Sequence, residues 1–264
     1  MADEHRERLR TTSGAVAERY DAVRPGYPRA VLDDLLRLAG VGPDDRVLEI
    51  GCGTGQLTVP LAARGLRVTA IEPGPDLARV ARRNLAAHPM AEVVVGAFEE
   101  VALEPGSFDL VVATSVHRLD PAVRVERSVD LLRAGGALAV IDTEHVAGGS
   151  AAFFADAQAC HRRWDPTTPP GPRLPTAAEV PTARPELDDS PRLGPVHLRR
   201  RQWDAEYTTE RYLALLLTCS GHLALPAADR RGLRGCLGAL IAGRYGGRIT
   251  QRYLTDLRVA HRAG

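Results

Sequence analysis

The sequence predicts an α/β protein built on a doubly wound, seven-stranded sheet, mostly parallel, with an antiparallel C-terminal strand. Three observations predict it. Short apolar runs alternate with amphipathic stretches between Asp45 and Asp142. A glycine-rich turn follows the first of these runs. The chain ends on a long alternating segment, 246–262. Continuous apolar strands separated by helices imply a parallel sheet covered on both faces. Right-handed crossovers then place helices on each side.

The elements follow in order. Upstream of the sheet, 15–38 is broken by Pro25 and Pro28 into a helix, an extended turn and a second helix, an N-terminal cap. RVLEI (46–50) reads as the first strand and Gln56–Arg64 as the helix after the glycine turn. RVTAIE (67–72) is the second strand, with Pro75–Ala87 as its helix. EVVVG (92–96) is the third strand and FDLVVAT (108–114) the fourth. A helix over Pro121–Arg133 and GALAVID (136–142) as the fifth strand complete this part. Ser150–Trp164 reads as a helix. Nine of the 19 prolines then fall between Pro166 and Pro195. Proline feeds neither a helix nor a sheet ladder, so this stretch is an extended loop or lid, with a disordered insertion as the other reading. VHLRRRQW (196–203) is the sixth strand. Thr209–Thr218 is a helix behind an N-cap threonine, Ala227–Ala242 another, and 246–262 the last strand. One domain is expected over 1–264: cap 15–40, core 45–142, helix, proline-rich loop and strand 150–203, and C-terminal helices and strand 204–264.

Composition narrows the function. The chain has 264 residues, 44% of them hydrophobic, enough for one sizeable core with a cap. A net charge of +1 supplies no field to recruit nucleic acid or an anionic membrane. All 34 basic residues are arginine, a bias that GC-rich coding accounts for, so Arg199-Arg200-Arg201 is weak evidence of a phosphate patch. The four cysteines (Cys52, Cys160, Cys219, Cys236) show neither zinc-ligand nor CxxC spacing, and MADEHRERLR lacks the apolar stretch of a signal peptide. A reduced, cytoplasmic interior is therefore expected. No apolar run approaches the ~20 residues that span a bilayer, so a soluble protein is expected. No HExxH, paired-cysteine or aspartate-cluster pattern suggests a metal.

The glycine turn sits in VLEIGCGTGQLT (47–58), with Gly51, Gly53 and Gly55 one residue apart. A dinucleotide site wants G-x-G-x-x-G, and here Gln56 stands where that pattern wants glycine. Glu72, about 20 residues on, closes the second strand and can accept hydrogen bonds from both ribose hydroxyls, a feature NAD and adenosine sites share. Glu49, just before the glycines, suits a ligand that carries positive charge. An NAD-dependent oxidoreductase stays as an alternative, with Gln56 against it.

VLEIGCGTGQLT, VTAIEP, GAFEE…GSFDLVVAT and LLRAGGALAV, in that order, resemble the class I S-adenosylmethionine-dependent methyltransferases, whose sheet is Rossmann-like; the resemblance covers about 15–142. The flanks RYDAVRPGYP, SVHRLDP and the C-terminal segment from Trp203 resemble a bacterial branch rich in small-molecule methyltransferases, with natural-product metabolism as a candidate setting. The resemblance implies S-adenosyl-L-methionine as cofactor and S-adenosyl-L-homocysteine as product. It implies that Glu49, Gly51, Cys52, Gly53 and Gln56 form the loop under the methionyl and ribose parts, that Glu72 holds the ribose, and that Pro73 packs near adenine. Ala97, Phe98 and Glu99 would flank the adenine. Ala97 stands where many relatives carry aspartate, which leaves the adenine amino group to Glu99 or a backbone carbonyl. Thr114 to His117, with Ser115 between them, would run beside the reacting methyl. Tyr20 and Arg24 would close the cofactor's open side, Arg24 near its carboxylate; ordinary helix packing and a surface salt bridge are the other reading.

A sulfonium methyl is already activated, so the main requirement is to place the nucleophile on the S–CH3 axis at about 3 Å and exclude water. A base is needed only if the acceptor must lose a proton. His117 is a candidate by position and by its ordinary pKa near 6.5, with a pocket-shaping role as the other reading. Arg118 follows it where relatives often carry tryptophan. Glu144 and His145, just past the fifth strand, and Tyr20 are further candidates. Tyr27, Trp164, Tyr207, Tyr212 and His222 are possible acceptor-side residues, with packing as the alternative for each. Thr114-Ser115-Val116-His117 stands where an NPPY-type tetrad would serve methylation of exocyclic base amines. A small-molecule acceptor, no nucleic-acid or membrane partner, and a monomer or homodimer are expected. A protein that binds the cofactor without transferring methyl is the third alternative.

Overall fold

The computed structural model describes residues 17–114, 116, 119–121, 123–165 and 173–264. Among these, seven strands hydrogen-bond in the order β3-β2-β1-β4-β5-β7-β6. They are β1 (Arg46–Ile50), β2 (Arg67–Glu72), β3 (Ala91–Val95), β4 (Phe108–Ala113), β5 (Leu132–Val146), β6 (His197–Thr208) and β7 (Arg248–His261). β1 to β5 pair in parallel, and β7 runs antiparallel to both β5 and β6. The α/β class, the strand number and the antiparallel last strand are as the sequence predicts. β1 and β4 lie mid-sheet and are buried on both faces, which is why they read as unbroken apolar runs. β6, an edge strand, alternates between exposed and half-buried residues.

Two strands outrun their apolar signal. β5 continues to Val146 and β6 to Thr208, because β7 pairs with β5 from Ala137↔His261 to Val146↔Arg252 and with β6 from His197↔Val259 to Thr208↔Arg248. The ladder, not hydrophobicity, sets their length.

Helices α1 (Ala17–Val23) and α2 (Arg29–Ala39) are separated by the Pro25–Pro28 turn. α3 (Thr58–Ala62) starts two residues later than expected because the glycine turn extends to Leu57. α4 (Pro75–Asn84) and α5 (Arg124–Leu131) complete the layers around the parallel strands. Leu35, Leu57, Leu61 and Val47 pack on one face of the sheet; Leu48, Val111, Val129 and Phe98 pack on the other. A third cluster centres on Phe153 and Tyr207. It joins α6 (Ala151–Trp164), α8 (Thr209–Leu216) and α10 (Ala227–Arg244) to β6 and β7. Short helices α7 (Pro185–Asp188) and α9 (Ser220–Ala224) lie in the intervening loops. The N-cap threonine of α8 is Thr208, which accepts from Arg211 N.

The reading of the cysteines is corrected. Cys160 on α6 and Cys236 on α10 form a disulfide, while Cys52 and Cys219 are free. The bonded pair is 76 residues apart in sequence, and only the packing of α6 against α10 brings it together. Cysteine usage therefore no longer argues for a reduced compartment. Among the described residues no helix is long and apolar enough to cross a membrane.

The described part of the proline-rich segment is extended and held to the sheet through its carbonyls. Arg200 on β6 donates to Ala177 O and Val180 O, and Arg258 on β7 donates to Pro181 O and Thr182 O. Prolines lack the N–H a ladder needs, so side-chain donors meet these carbonyls instead.

Candidate active site

The turn after β1 holds its shape through glycine. Gly51, Gly53 and Gly55 have φ of 75°, 60° and 97°, a region that a side chain makes costly. Gly51 N and Cys52 N both donate to Ile71 O, at 2.8 and 3.1 Å, fastening the turn to the end of β2. Glu72 completes the fastening: Oε2 accepts from Gly53 N and Oε1 from Gly74 N, each at 2.9 Å. Gly96 N donates to Glu72 O at 3.2 Å, which sets Ala97 beside the same strand end.

A cavity of about 250 Å³ opens above this turn. Its floor is Glu49, Gly51, Cys52, Gly53 and Gln56. Its roof comes from Tyr20, Arg24 and Tyr27. Thr114, Asp142, Thr143 and Glu144, past β4 and on β5, form one wall, and Trp203 of β6 and Tyr253 of β7 the far end. A Cβ placed on Gly53 would lie 3.5 Å from the Tyr20 ring, so the cap rests on the turn. Gln56 folds back to donate to Thr54 Oγ1 at 2.6 Å.

The cap is pinned from both sides. Glu18 pairs with Arg79 and Arg83, and Asp21 with Arg83 and Asn84, fixing α1 on α4. Asn84 also donates to Thr54 O at 2.9 Å, linking α4 to the glycine turn. Arg24 lies 5.1 Å from the centre of the Tyr20 ring. It donates to Thr218 Oγ1 at 3.0 Å, Thr218 O at 3.1 Å and Cys219 Sγ at 3.6 Å. These donors are directed to the segment joining α8 and α9, and the side chain also lines the cavity.

Glu49 is the electrostatic centre of the floor. It is 1% exposed, and its Oε2 has no hydrogen-bond partner among the described residues. Burial, and then the charge of Glu72, push its carboxyl up to about 7. The Thr58 hydroxyl opposes this rise, and a buried carboxyl in the floor of a cavity suits a donor or cation from a ligand.

Other expected site residues are placed elsewhere. The Phe98 side chain is buried in the core with Arg127 over its ring and is not among the cavity-lining residues. Glu99 Oε1 accepts from Asp120 N at 3.0 Å, and Ala97 O accepts from Glu100 N and Val101 N; with Pro73, these residues lie off the cavity walls. His145 lies against the third cluster. Its ring packs edge-on against Phe154, 4.4 Å between centres, and burial pushes its pKa down to about 4. Residue 145 is in β5 rather than past it, on the strand face of Thr143 and beside its partner Tyr253, and its ring packs into the third cluster rather than lining the cavity. Of the cap and C-terminal candidates, Tyr27 lines the cavity; Tyr207 and Tyr212 are core, Trp164 packs on Gly232, and the His222 ring stands against His161. Ser115, His117 and Arg118 lie outside the described residues. Asp142, Thr143, Trp203 and Tyr253 were not anticipated as cavity residues. The end of the fifth strand pointed to the first two; nothing local pointed to the aromatics.

Comparison with known proteins fits this geometry. Residues 47–136 match the family model described as a methyltransferase domain. An uncharacterized methyltransferase of Mycobacterium tuberculosis is 39% identical over 129 residues, 48% of this chain and 50% of that protein. A ubiquinone biosynthesis O-methyltransferase of Xanthomonas campestris is 34% identical over 156 residues, 50% of this chain and 65% of that protein. The chain thus spans about half the length of the first of these relatives and under two thirds of the second. The Bacillus halodurans protein BH2331 has the same fold, with a TM-score of 0.51 at 19% identity, covering 88% of this chain and 99% of that one. The matched segment begins on β1 and runs through the glycine turn, so residues 47–136 match a methyltransferase domain, and the antiparallel seventh strand beside β5 completes a fold shared with solved methyltransferase structures.

Proposed function

We propose that this chain transfers a methyl group from S-adenosyl-L-methionine to a small-molecule acceptor, leaving S-adenosyl-L-homocysteine. The observation that carries the reading is Glu49, a buried carboxylate with an unpartnered oxygen in the floor of a cavity built on three left-handed glycines. The residues fit the cofactor. Glu49 and the Gly51–Gly53 turn would hold the cationic methionyl end, and Glu72, at the end of β2 beside that turn, the ribose hydroxyls. When bound, the cofactor supplies a methyl on a positively charged sulfur, already activated for displacement.

The chain's own contribution is alignment and exclusion of water. Tyr20 covers the glycine turn. Thr114 donates to Gly51 O at 3.5 Å, joining the strand ends of β1 and β4. Asp142 to Glu144 form the wall where an acceptor would lie beside the methyl. Gln56 occupies the third-glycine position of a dinucleotide turn and speaks against NAD. A net charge of +1 favours a small molecule over nucleic acid.

Calorimetry with S-adenosylmethionine, S-adenosylhomocysteine and NAD tests the cofactor. Both sulfur compounds are expected to bind and NAD is not. NAD binding without affinity for either sulfur compound overturns the reading. Release of S-adenosylhomocysteine with a panel of acceptors tests transfer, and separates an enzyme from a protein that only binds the cofactor.

A further inference from the structure

We propose that Glu49 holds a proton while the cavity is empty and gives it up to solvent when a positive charge on the methionyl end of the cofactor takes its place, so that cofactor binding is coupled to proton release. This rests on the methyl-transfer reading above and adds how pH regulates the same site.

Two buried carboxyls flank the glycine turn, and the fold treats them differently. Glu72, 5% exposed, accepts from Gly53 N and Gly74 N, and amide hydrogens favour the ionised form of a carboxyl. Glu49, 1% exposed, has no such pair of amides, and its Oε2 has no hydrogen-bond partner among the described residues. The Thr58 hydroxyl is what favours its ionised form. Carboxyls whose surroundings differ in this way separate into one that keeps its charge and one that keeps its proton.

The side chains around Glu49 supply no counter-charge. Glu72 stands at the end of β2, Cys52 in the turn, Tyr20 and Tyr27 in the roof and Asp142 on β5. None of these can carry a positive charge. Arg24 lines the same cavity but directs its donors to Thr218 and Cys219. An ionised carboxylate buried without a partner is costly, and an empty site avoids that cost by protonation. Burial and the charge of Glu72 accordingly push the Glu49 carboxyl up to about 7, with Thr58 opposing.

A cationic group in the cavity reverses the balance. It provides the missing counter-charge, so the ionised form becomes the stable one. The carboxyl O–H bond breaks, its electron pair stays on oxygen, and the proton passes to water. The methionyl end offers two such charges: the α-ammonium, carried by S-adenosylmethionine and S-adenosylhomocysteine alike, and the sulfonium, carried by S-adenosylmethionine alone. The sign follows by linkage. Below pH 7 the ligand must displace the proton, so affinity is weakest at low pH. It rises with pH and levels off once Glu49 is ionised in the empty site. A glutamate with an ordinary carboxyl, ionised throughout, would leave affinity flat between pH 5.5 and 7.

Calorimetry on the full chain tests the coupling. Titration with S-adenosylhomocysteine in phosphate and in imidazole, which differ in ionisation enthalpy, counts the protons released. About half a proton per site is expected at pH 7 and nearly one at pH 6. The dissociation constant is expected to be about tenfold or more weaker at pH 5.5 than at pH 7. Glu49→Gln is expected to bind more weakly, with no release and no pH dependence over that range. 5′-Methylthioadenosine keeps the adenosine and the sulfur but has neither charge. It is expected to bind without release, and gives the comparison on the unaltered protein if the variant does not fold. Release with both S-adenosylmethionine and S-adenosylhomocysteine supports the proposal with the ammonium as partner; release with S-adenosylmethionine alone supports it with the sulfonium as partner. Binding of both without release, release that survives Glu49→Gln, or equal release with 5′-methylthioadenosine overturns it. Failure of both S-adenosylmethionine and S-adenosylhomocysteine to bind at any pH is a different result: it overturns the methyl-transfer reading and the proton coupling with it.

Discussion

Glu72 fastens two backbone turns with one carboxylate, one oxygen on Gly53 N and the other on Gly74 N. The sequence shows an acid at the end of the second strand, and so a ribose partner; it does not show that the same acid shapes the glycine turn. Glu72→Ala is expected to weaken S-adenosylhomocysteine binding by about 1–3 kcal/mol. Calorimetry measures it, and an unchanged dissociation constant removes the ribose assignment. Glu49 makes a prediction of opposite sign for stability. Its folded carboxyl titrates at about 7, above the ordinary range, so the native state holds a proton that the unfolded chain has lost. The stability from this protonated form is full below about pH 4.3 and is lost as pH rises through 7. Glu49→Gln removes the buried charge. The ligand-free variant is expected to gain about 1–3 kcal/mol at pH 8 and little at pH 5, while cofactor affinity falls. Thermal melts at the two pH values decide it; equal shifts at both would mean Glu49 is not ionising in the fold.

At the scale of elements, legibility follows the range of the signal. The parallel strands and the glycine turn are readable because period, apolar run and glycine spacing are local. The far end of β5 is not. Residues 143–146 are strand because β7 pairs with them, and this puts Glu144 on the face of Asp142 and Asp256 and His145 on the face of Tyr253, against Phe154. Trp203 and Tyr253 enter the site by cross-strand register, 50 residues apart in the chain, which no short window contains. The disulfide is hidden for the same reason. Because Cys160–Cys236 closes a 76-residue separation between α6 and α10, its loss is expected to cost about 2–4 kcal/mol. Thiol titration in denaturant should find two reactive groups, Cys52 and Cys219, and four after reduction. Denaturation of Cys160→Ser against the oxidised parent gives the energy. Four thiols without reductant would show that the helices are packed and not bonded.

At the scale of the whole molecule, the site depends on closures from opposite ends of the chain. The cap is held by exposed pairs between α1 and α4, whereas the proline-rich segment is held by a largely buried network on β7. Asp256, 3% exposed, accepts two bonds from Arg200 and one from Arg258, and those two arginines hold the carbonyls of residues 177–182. Arg258 continues to Asp142 in the cavity wall. Removing one partner of a buried pair leaves the other charge uncompensated, which typically costs about 3–5 kcal/mol. Asp256→Asn is therefore expected to lower stability by that order and to release the 177–182 segment, read as faster proteolysis there. Asp204→Asn is the control. It breaks an equally well-formed pair with Arg252, both side chains more than a third exposed, and is expected to cost about 0–1 kcal/mol with the segment still protected. A similar small cost for both substitutions would mean that Asp256 does not anchor the segment, and that apolar packing alone keeps it against the sheet.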